Sequence, residues 1–168
     1  MLLYLSPGFD ETDVAAADDA AVQARSAELR KGFQPLPGPD DYFARWKWWA
    51  PRTKVFGAWE TLRSSIAVLN IGAYHSKDFV DEPLLAALPS SRVSLDWAQD
   101  VLFPQAIAGQ RTVVCMRSRR FWGLDKATRH GKALYAPSVT RGGFMVSGAE
   151  RDEIVTAVKA AIVARRPS

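Results

Sequence analysis

Three apolar runs in this chain are too short for stable helices and too apolar for surface loops: Leu2-Leu-Tyr-Leu5, Ser65-Ile-Ala-Val-Leu-Asn-Ile71 and Arg111-Thr-Val-Val-Cys-Met116. Runs of this length and continuity read as strands covered on both faces, which is how strands look inside a parallel sheet. Each is followed by a turn signal and then by a stretch with helical spacing. A parallel pair needs a crossover of a dozen or more residues, so the spacing selects an α/β architecture. Leu134-Tyr135 adds a short fourth strand. The expected fold is a three-layer α/β/α sandwich around a short, mostly parallel four-stranded sheet, built as one domain over residues 1–168.

The helices between the strands carry their own punctuation. After Ser6-Pro7-Gly8 the chain enters a helix that Thr12 or Asp13 can cap, with Arg25, Arg30 and Lys31 at its negative end and Gly32 beyond. Residues 34–54, rich in Pro and Trp, read as an ordered loop and a short helix. Ser94 to Ala108 has helical spacing at Leu95, Ala98 and Leu102, interrupted by Pro104 and closed by Gly109. Ser147-Gly-Ala-Glu150 has the form of a capping box before Ile154, Val155, Val158, Ala161 and Ile162, which fall on one helical face.

Composition narrows the class. With 168 residues, 48% hydrophobic and 24% charged, the chain can close one substantial core and does not resemble a disordered one. Its single cysteine, Cys115, excludes an internal disulfide framework, a four-cysteine zinc site and an iron–sulfur cluster supplied by one chain, and fits a reducing, cytoplasmic setting. Cys115 lies inside the third run and reads as a core residue. His75 and His130 share no metal-ligand spacing, so neither a metal nor another cofactor is expected. No run approaches the length of a membrane span. The net charge of +4, with acids gathered before residue 20, leaves the remainder basic enough for a phosphate-bearing partner, although a solvated surface explains the balance equally well.

Four loops follow the strands and hold unusual residues: Ser6-Pro7-Gly8-Phe9-Asp10, Asn70 to Ser76, Arg117 to Gly123, and Ala136-Pro137-Ser138-Val-Thr140-Arg141-Gly142-Gly143. A parallel sheet gathers such loops at one edge. Their order resembles the uracil-DNA glycosylase superfamily, whose members place an Asp-Pro or Asn-Pro-Gly turn after the first strand, an Asn after the second and a His-Pro-Ser segment late. The counterparts here are Ser6-Pro7-Gly8-Phe9, Leu69-Asn70 and Ala136-Pro137-Ser138. The sequence departs from that pattern where the usual catalysts stand, with Ser6 in place of Asp or Asn and Ala136 in place of His.

Base excision requires a pocket for an extruded base, a polar group that orients water and a donor for the departing base. The resemblance assigns base binding to Phe9, Asn70 and Tyr74: an aromatic face stacks, and a side-chain amide offers donor and acceptor together. The catalytic set becomes Ser6, Asp10 for the water and His75 for the leaving base. Backbone amides of the Pro-Gly and Gly-Gly turns, with Ser138, Thr140 and Arg141, are assigned to DNA phosphates together with Arg117, Arg119 and Arg120. Plainer roles stay open: Asp10 as a charge at a helix start, His75 as a structural imidazole, Asn70 bonding its own loop, and Trp46, Trp48 and Trp49 packing rather than stacking on bases.

These residues imply a monomeric DNA glycosylase that hydrolyses the N-glycosidic bond of a modified or deaminated base, single- or double-stranded DNA being equally open. The alternatives are a nucleic-acid-binding relative that has lost catalysis, and an enzyme acting on a small nucleotide or nucleoside.

Overall fold

The computed structural model describes residues 1–5, 8, 11–31, 46–72 and 82–164. The chain packs as two compact units, one of Met1–Gly8 with Val68–Ser168 and one of Phe9–Ala67. The first unit holds a five-stranded sheet of mixed α/β character. Its strands are β1 (Leu2–Tyr4), β2 (Val68–Asn70), β3 (Val113–Cys115), β4 (Arg129–His130) and β5 (Leu134–Tyr135), in the spatial order β2-β1-β3-β5-β4. The first four in that order are parallel, and β4 runs antiparallel to β5 at the edge.

Why three apolar runs become three strands is visible in their burial. Leu2, Leu3 and Tyr4 are all buried, as are Val113, Val114 and Cys115, so neither strand shows the alternation of a sheet with one wet face. Leu3, Val113, Cys115, Leu134 and Ala136 belong to one apolar cluster, shared with Leu85 of α5 (Glu82–Ala87), Leu95 of α6 (Pro89–Trp97), and Phe103 and Ala106 of α7 (Phe103–Ile107). The alternate residues Leu2, Tyr4, Val114, Met116 and Tyr135 form the opposite face and are buried too. Each fully buried aliphatic side chain here is worth about 1.5–3 kcal/mol of transfer free energy.

The three strands from the apolar runs are shorter than the sequence suggests, three residues rather than four to seven, and a fifth strand joins the expected four. Strand β4 escapes detection because Arg129-His130 has no apolar content. It forms because the tight turn Gly131–Ala133 folds it back on β5, held by Arg129, whose Nε donates to Gly131 O (3.0 Å) and Nη2 to Lys132 O (2.9 Å).

The helix expected over 94–108 starts earlier and changes pitch. α6 passes through a π turn, Ala98–Leu102, into α7, and Phe103 N–H closes the wide turn on Ala98 O. Pro104 has no N–H to give to the turn before it, and the widened turn carries the helix past it without a break. Gly109 (φ +84) ends the segment.

The long last helix, α8 (Ala149–Ala164), buries Ile154, Val158 and Ile162 as the pattern indicates. Its start differs. Asp152 N–H donates to Gly148 O (3.1 Å), making Gly148 the N-cap, while the Glu150 carboxylate accepts from the Ser138 amide (3.1 Å). The capping box is given up because a nearby loop amide takes its carboxylate.

The second unit is helical: α1 (Glu11–Ala17), α2 (Ala20–Arg30), α3 (Trp46–Thr53), a 3-10 turn Lys54–Phe56, and α4 (Trp59–Ser65). The single expected helix is broken at Asp18-Asp19. Asp19 Oδ1 accepts from the amides of Ala21 (2.8 Å) and Val22 (3.2 Å), so its side chain caps a new helix rather than continuing the old one. Trp48 and Trp49 meet edge to face at 4.6 Å, and the Arg52 guanidinium lies 3.8 Å above the Trp48 ring. Both rings are half-buried in this packing.

Cys115 is buried, and its Sγ–H donates to Arg117 O at 3.3 Å. Burial pushes its thiol up to about 12. The unfolded thiol ionises from about pH 9, so above that pH the unfolded chain binds fewer protons than the folded one. Stability from this group is complete below pH 9 and is lost at about 1.4 kcal/mol per pH unit up to about 12. Urea titrations of wild type and Cys115→Ala at pH 8 and pH 10 should therefore show a steeper alkaline loss in wild type. Parallel losses would mean that the thiol is not held protonated.

Candidate nucleic-acid interface

Register fixes which loops share an edge. Asn70 pairs with Tyr4 across β2 and β1, Leu3 pairs with Cys115 across β1 and β3, and Val114 pairs with Tyr135 across β3 and β5. Because all four strands are parallel, the chain leaves each of them at the same side of the sheet. The ladder runs on past the strands: Ile71 N–H donates to Tyr4 O (3.2 Å) and Gly72 N–H to Leu5 O (2.8 Å). Across this edge stand, in order, Asn70, Tyr4, the turn after β3 and the loop after β5. At about 4.8 Å per strand, Asn70 and the β5 loop are roughly 14 Å apart.

The turn after β3 is tightly built. Ser118 takes a left-handed conformation (φ +58), and the chain then closes a short coil in which Phe121 N–H donates to Ser118 O and Trp122 N–H to Arg119 O. Trp122 is fully buried in the core cluster and pins the turn from beneath. From the helix side, Gln99 Nε2 donates to Trp122 O at 3.4 Å. Three arginines are thereby held on a rigid base. Arg117 is exposed, Arg119 donates to Lys126 O (3.4 Å), and the Arg120 guanidinium sits 4.7 Å above the Phe121 ring. No described acidic side chain forms an ion pair with Arg117, Arg119 or Arg141.

The loop after β5 is a small hairpin. Val146 N–H donates to Ser138 O (2.9 Å), Val139 bridges Met145, and Thr140 N–H donates to Phe144 O (2.8 Å). Gly143 N–H donates to Thr140 O, and at φ +79 Gly143 supplies the left-handed residue that closes a three-residue tip. This corrects the expectation for one amide of the Gly-Gly turn, that of Gly143. The amides of Ser138, Thr140 and Gly143 are spent on Glu150, Phe144 and Thr140, so they are not donors for phosphate. The side chains of Ser138, Thr140 and Arg141 are exposed, with Thr140 Oγ1 accepting from Phe144 N–H (3.2 Å) inside the hairpin. The Glu150 carboxylate at the Ser138 amide is repulsive to a phosphate there, which shifts the favourable positions toward Arg141 and the arginine turn.

Asn70 sits half-buried at the end of β2. Ser6, Phe9, Asp10, Tyr74 and His75 lie outside the described residues. Ala136, where the resemblance expects a histidine, is fully buried in the apolar cluster, and its N–H donates to Thr128 O (2.8 Å). The position carries no group for chemistry. Two contributors escape sequence reading: Gln99, which clamps the arginine turn from 23 residues away, and Glu150, whose spacing advertises a cap. Among the described residues, no three His, Cys, Asp or Glu side chains group together as metal ligands, and no helix is long and apolar enough to cross a membrane.

No family model matches the chain, and the comparisons with curated proteins and with solved structures return no match either.

Proposed function

We propose that this chain is a DNA glycosylase-like protein that hydrolyses the N-glycosidic bond of a modified or deaminated base held at the C-terminal edge of its parallel strands. The observation that carries the reading is the shared edge: an amide side chain at the end of β2 stands in line with a rigid arginine turn after β3 and a hairpin bearing hydroxyls and Arg141 after β5. Arginines neutralise phosphates without reading sequence, and the amide offers paired donor and acceptor to a base. Burial of both sheet faces supports a three-layer α/β/α arrangement, and a buried free thiol suits the reducing cytoplasm. This reading keeps Ser6, Asp10 and His75 as the catalytic set and Phe9, Tyr74 and Asn70 as the base-binding set, of which Asn70 alone lies among the described residues.

The test is strand scission. Oligonucleotides carrying a panel of deaminated and alkylated bases, incubated with the protein and then heated in alkali, should break at one class of lesion. Asn70→Ala should lower that turnover by about five- to 150-fold, as removal of a base-edge pair costs about 1–3 kcal/mol. An absence of breaks with every base overturns the enzymatic reading.

The burial of Ala136 favours a second reading, a binding protein that has lost catalysis. Both readings expect salt-sensitive DNA binding. Arg117→Ala, Arg119→Ala and Arg120→Ala should each flatten the log–log salt dependence of the binding constant by about 0.9 on duplex or 0.7 on single-stranded DNA. An unchanged slope in all three variants would remove the turn from the interface. Salt-sensitive binding without scission selects the second reading, and turnover of free nucleosides or nucleotides without DNA binding selects a small-molecule enzyme.

A further inference from the structure

We infer that the outward face of the hairpin after β5 is a platform for an unpaired DNA strand, with Phe144 as the ring on which one of its bases stacks. The inference rests on the DNA reading above and narrows the substrate to single strands. Strand alternation sets the face. Val139 bridges Met145, and this pair is turned inward, Met145 buried and Val139 half-buried. Their neighbours Ser138, Thr140, Phe144 and Val146 therefore share the opposite face, and all four are exposed. Phe144 is 40% and Val146 49% exposed, so neither contributes much to the core. The hairpin also fixes where the ring lies. Phe144 N–H donates to Thr140 Oγ1 (3.2 Å), and Phe144 O accepts from Thr140 N–H (2.8 Å). A β-carbon built at Gly142 would stand 3.4 Å from both Phe144 Cδ2 and Cε2, so the ring lies back over the tip, in the space that this glycine leaves.

Charge selects the occupant. Arg141 is exposed at the tip, and no described acidic side chain pairs with it. Arg117, Arg119 and Arg120 follow β3, the strand next to β5. At the base of the hairpin the charges are one of each sign: Glu150 at the Ser138 amide (3.1 Å), and Arg151, whose Nη1 donates to Ser147 Oγ (3.4 Å). The positive end is therefore the tip, where Phe144 lies. Arginines, exposed hydroxyls and an aromatic ring on one face match a chain that alternates phosphates with bases. In a duplex each base is already stacked on its neighbours, so the ring gains only from an unpaired strand. Asn70 and this loop stand roughly 14 Å apart along the sheet edge, so the base on Phe144 is a different one from the base at Asn70.

Equilibrium binding of the full chain to three undamaged probes tests this: an oligothymidylate, an abasic strand with the same number of phosphates, and a duplex of the same length. Wild type should bind the oligothymidylate more tightly than the abasic strand. Phe144→Ala should weaken the oligothymidylate by about five- to 150-fold, the range for losing one base–aromatic stack, and leave the other two probes unchanged. Phe144→Leu should lose affinity in the same way, because it keeps apolar bulk without a π face, and Phe144→Trp should retain it. The log–log salt slope should be the same in Phe144→Ala as in wild type, whereas Arg141→Ala should flatten it by about 0.7 on the single strand. Phe144 is exposed, and circular dichroism with a thermal melt confirms that the variants fold. Wild-type affinity of Phe144→Ala for the oligothymidylate, or an equal loss on the abasic strand, overturns the inference and leaves the DNA reading standing. Failure of wild type to bind any of the three probes overturns both.

Discussion

Gly131→Ala is expected to destabilise the protein by about 3 kcal/mol or more, from a left-handed backbone costing about 1–2 kcal/mol and a collision that adds to it. A methyl group built at Gly131 lies 2.8 Å from both Ile107 Cα and Ile107 O and 2.7 Å from Ile107 Cγ2, and the residue holds φ +63. Two of those atoms are backbone and cannot swing aside. The close approach exists because the turn between β4 and β5 docks on the end of α7, with Lys132 N–H donating to Ile107 O (3.0 Å) and Ala133 N–H to Ala106 O (3.0 Å). Gly131→Asn separates the two costs: asparagine tolerates the left-handed conformation and keeps the collision. Urea denaturation should show both variants strongly destabilised. Near-wild-type stability in the asparagine variant would mean that the turn moves freely off α7. Because β5 leads straight into Ser138 and Arg141, a loosened turn should also weaken the proposed DNA binding.

Trp122→Ala should cost about 3–5 kcal/mol, the range for emptying a large aromatic from a closed core. Trp122 is fully buried, and among the described residues its indole N–H finds no acceptor, so Trp122→Phe gives up ring volume while relieving an unsatisfied donor. The phenylalanine variant should therefore lose clearly less stability than the alanine variant. Equal losses in the two would assign the indole N–H a partner. The functional consequence follows from position. Trp122 anchors the coil that holds Arg117, Arg119 and Arg120, so under the proposed function, in conditions where Trp122→Ala stays folded, DNA affinity should fall with all three arginines present. Retained affinity there would show that the arginines act as free surface charges and need no rigid base.

Parts of this molecule were legible from the chain because burial on both faces leaves an unmistakable mark. Leu2-Leu-Tyr and Val113-Val-Cys could only be buried strands, Cys115 could only be core, and the spacing of Ile154, Val158 and Ile162 named the buried face of α8. Parallel strands then bring their following loops to one edge, which is why the loops after β2, β3 and β5 were expected on the same side of the sheet. Other features had no local mark. Arg129-His130 becomes a strand through the turn at Gly131. Glu150 abandons its own helix for the Ser138 amide, and Gly143 spends its N–H on Thr140 rather than on a ligand. Gln99 reaches the arginine turn across 23 residues. Local preference and hydrophobic period are written into neighbouring residues, and they determined the elements. Which polar group satisfies which depends on distances that exist only after the elements pack, so tertiary structure alone decided how the donors of the site were used.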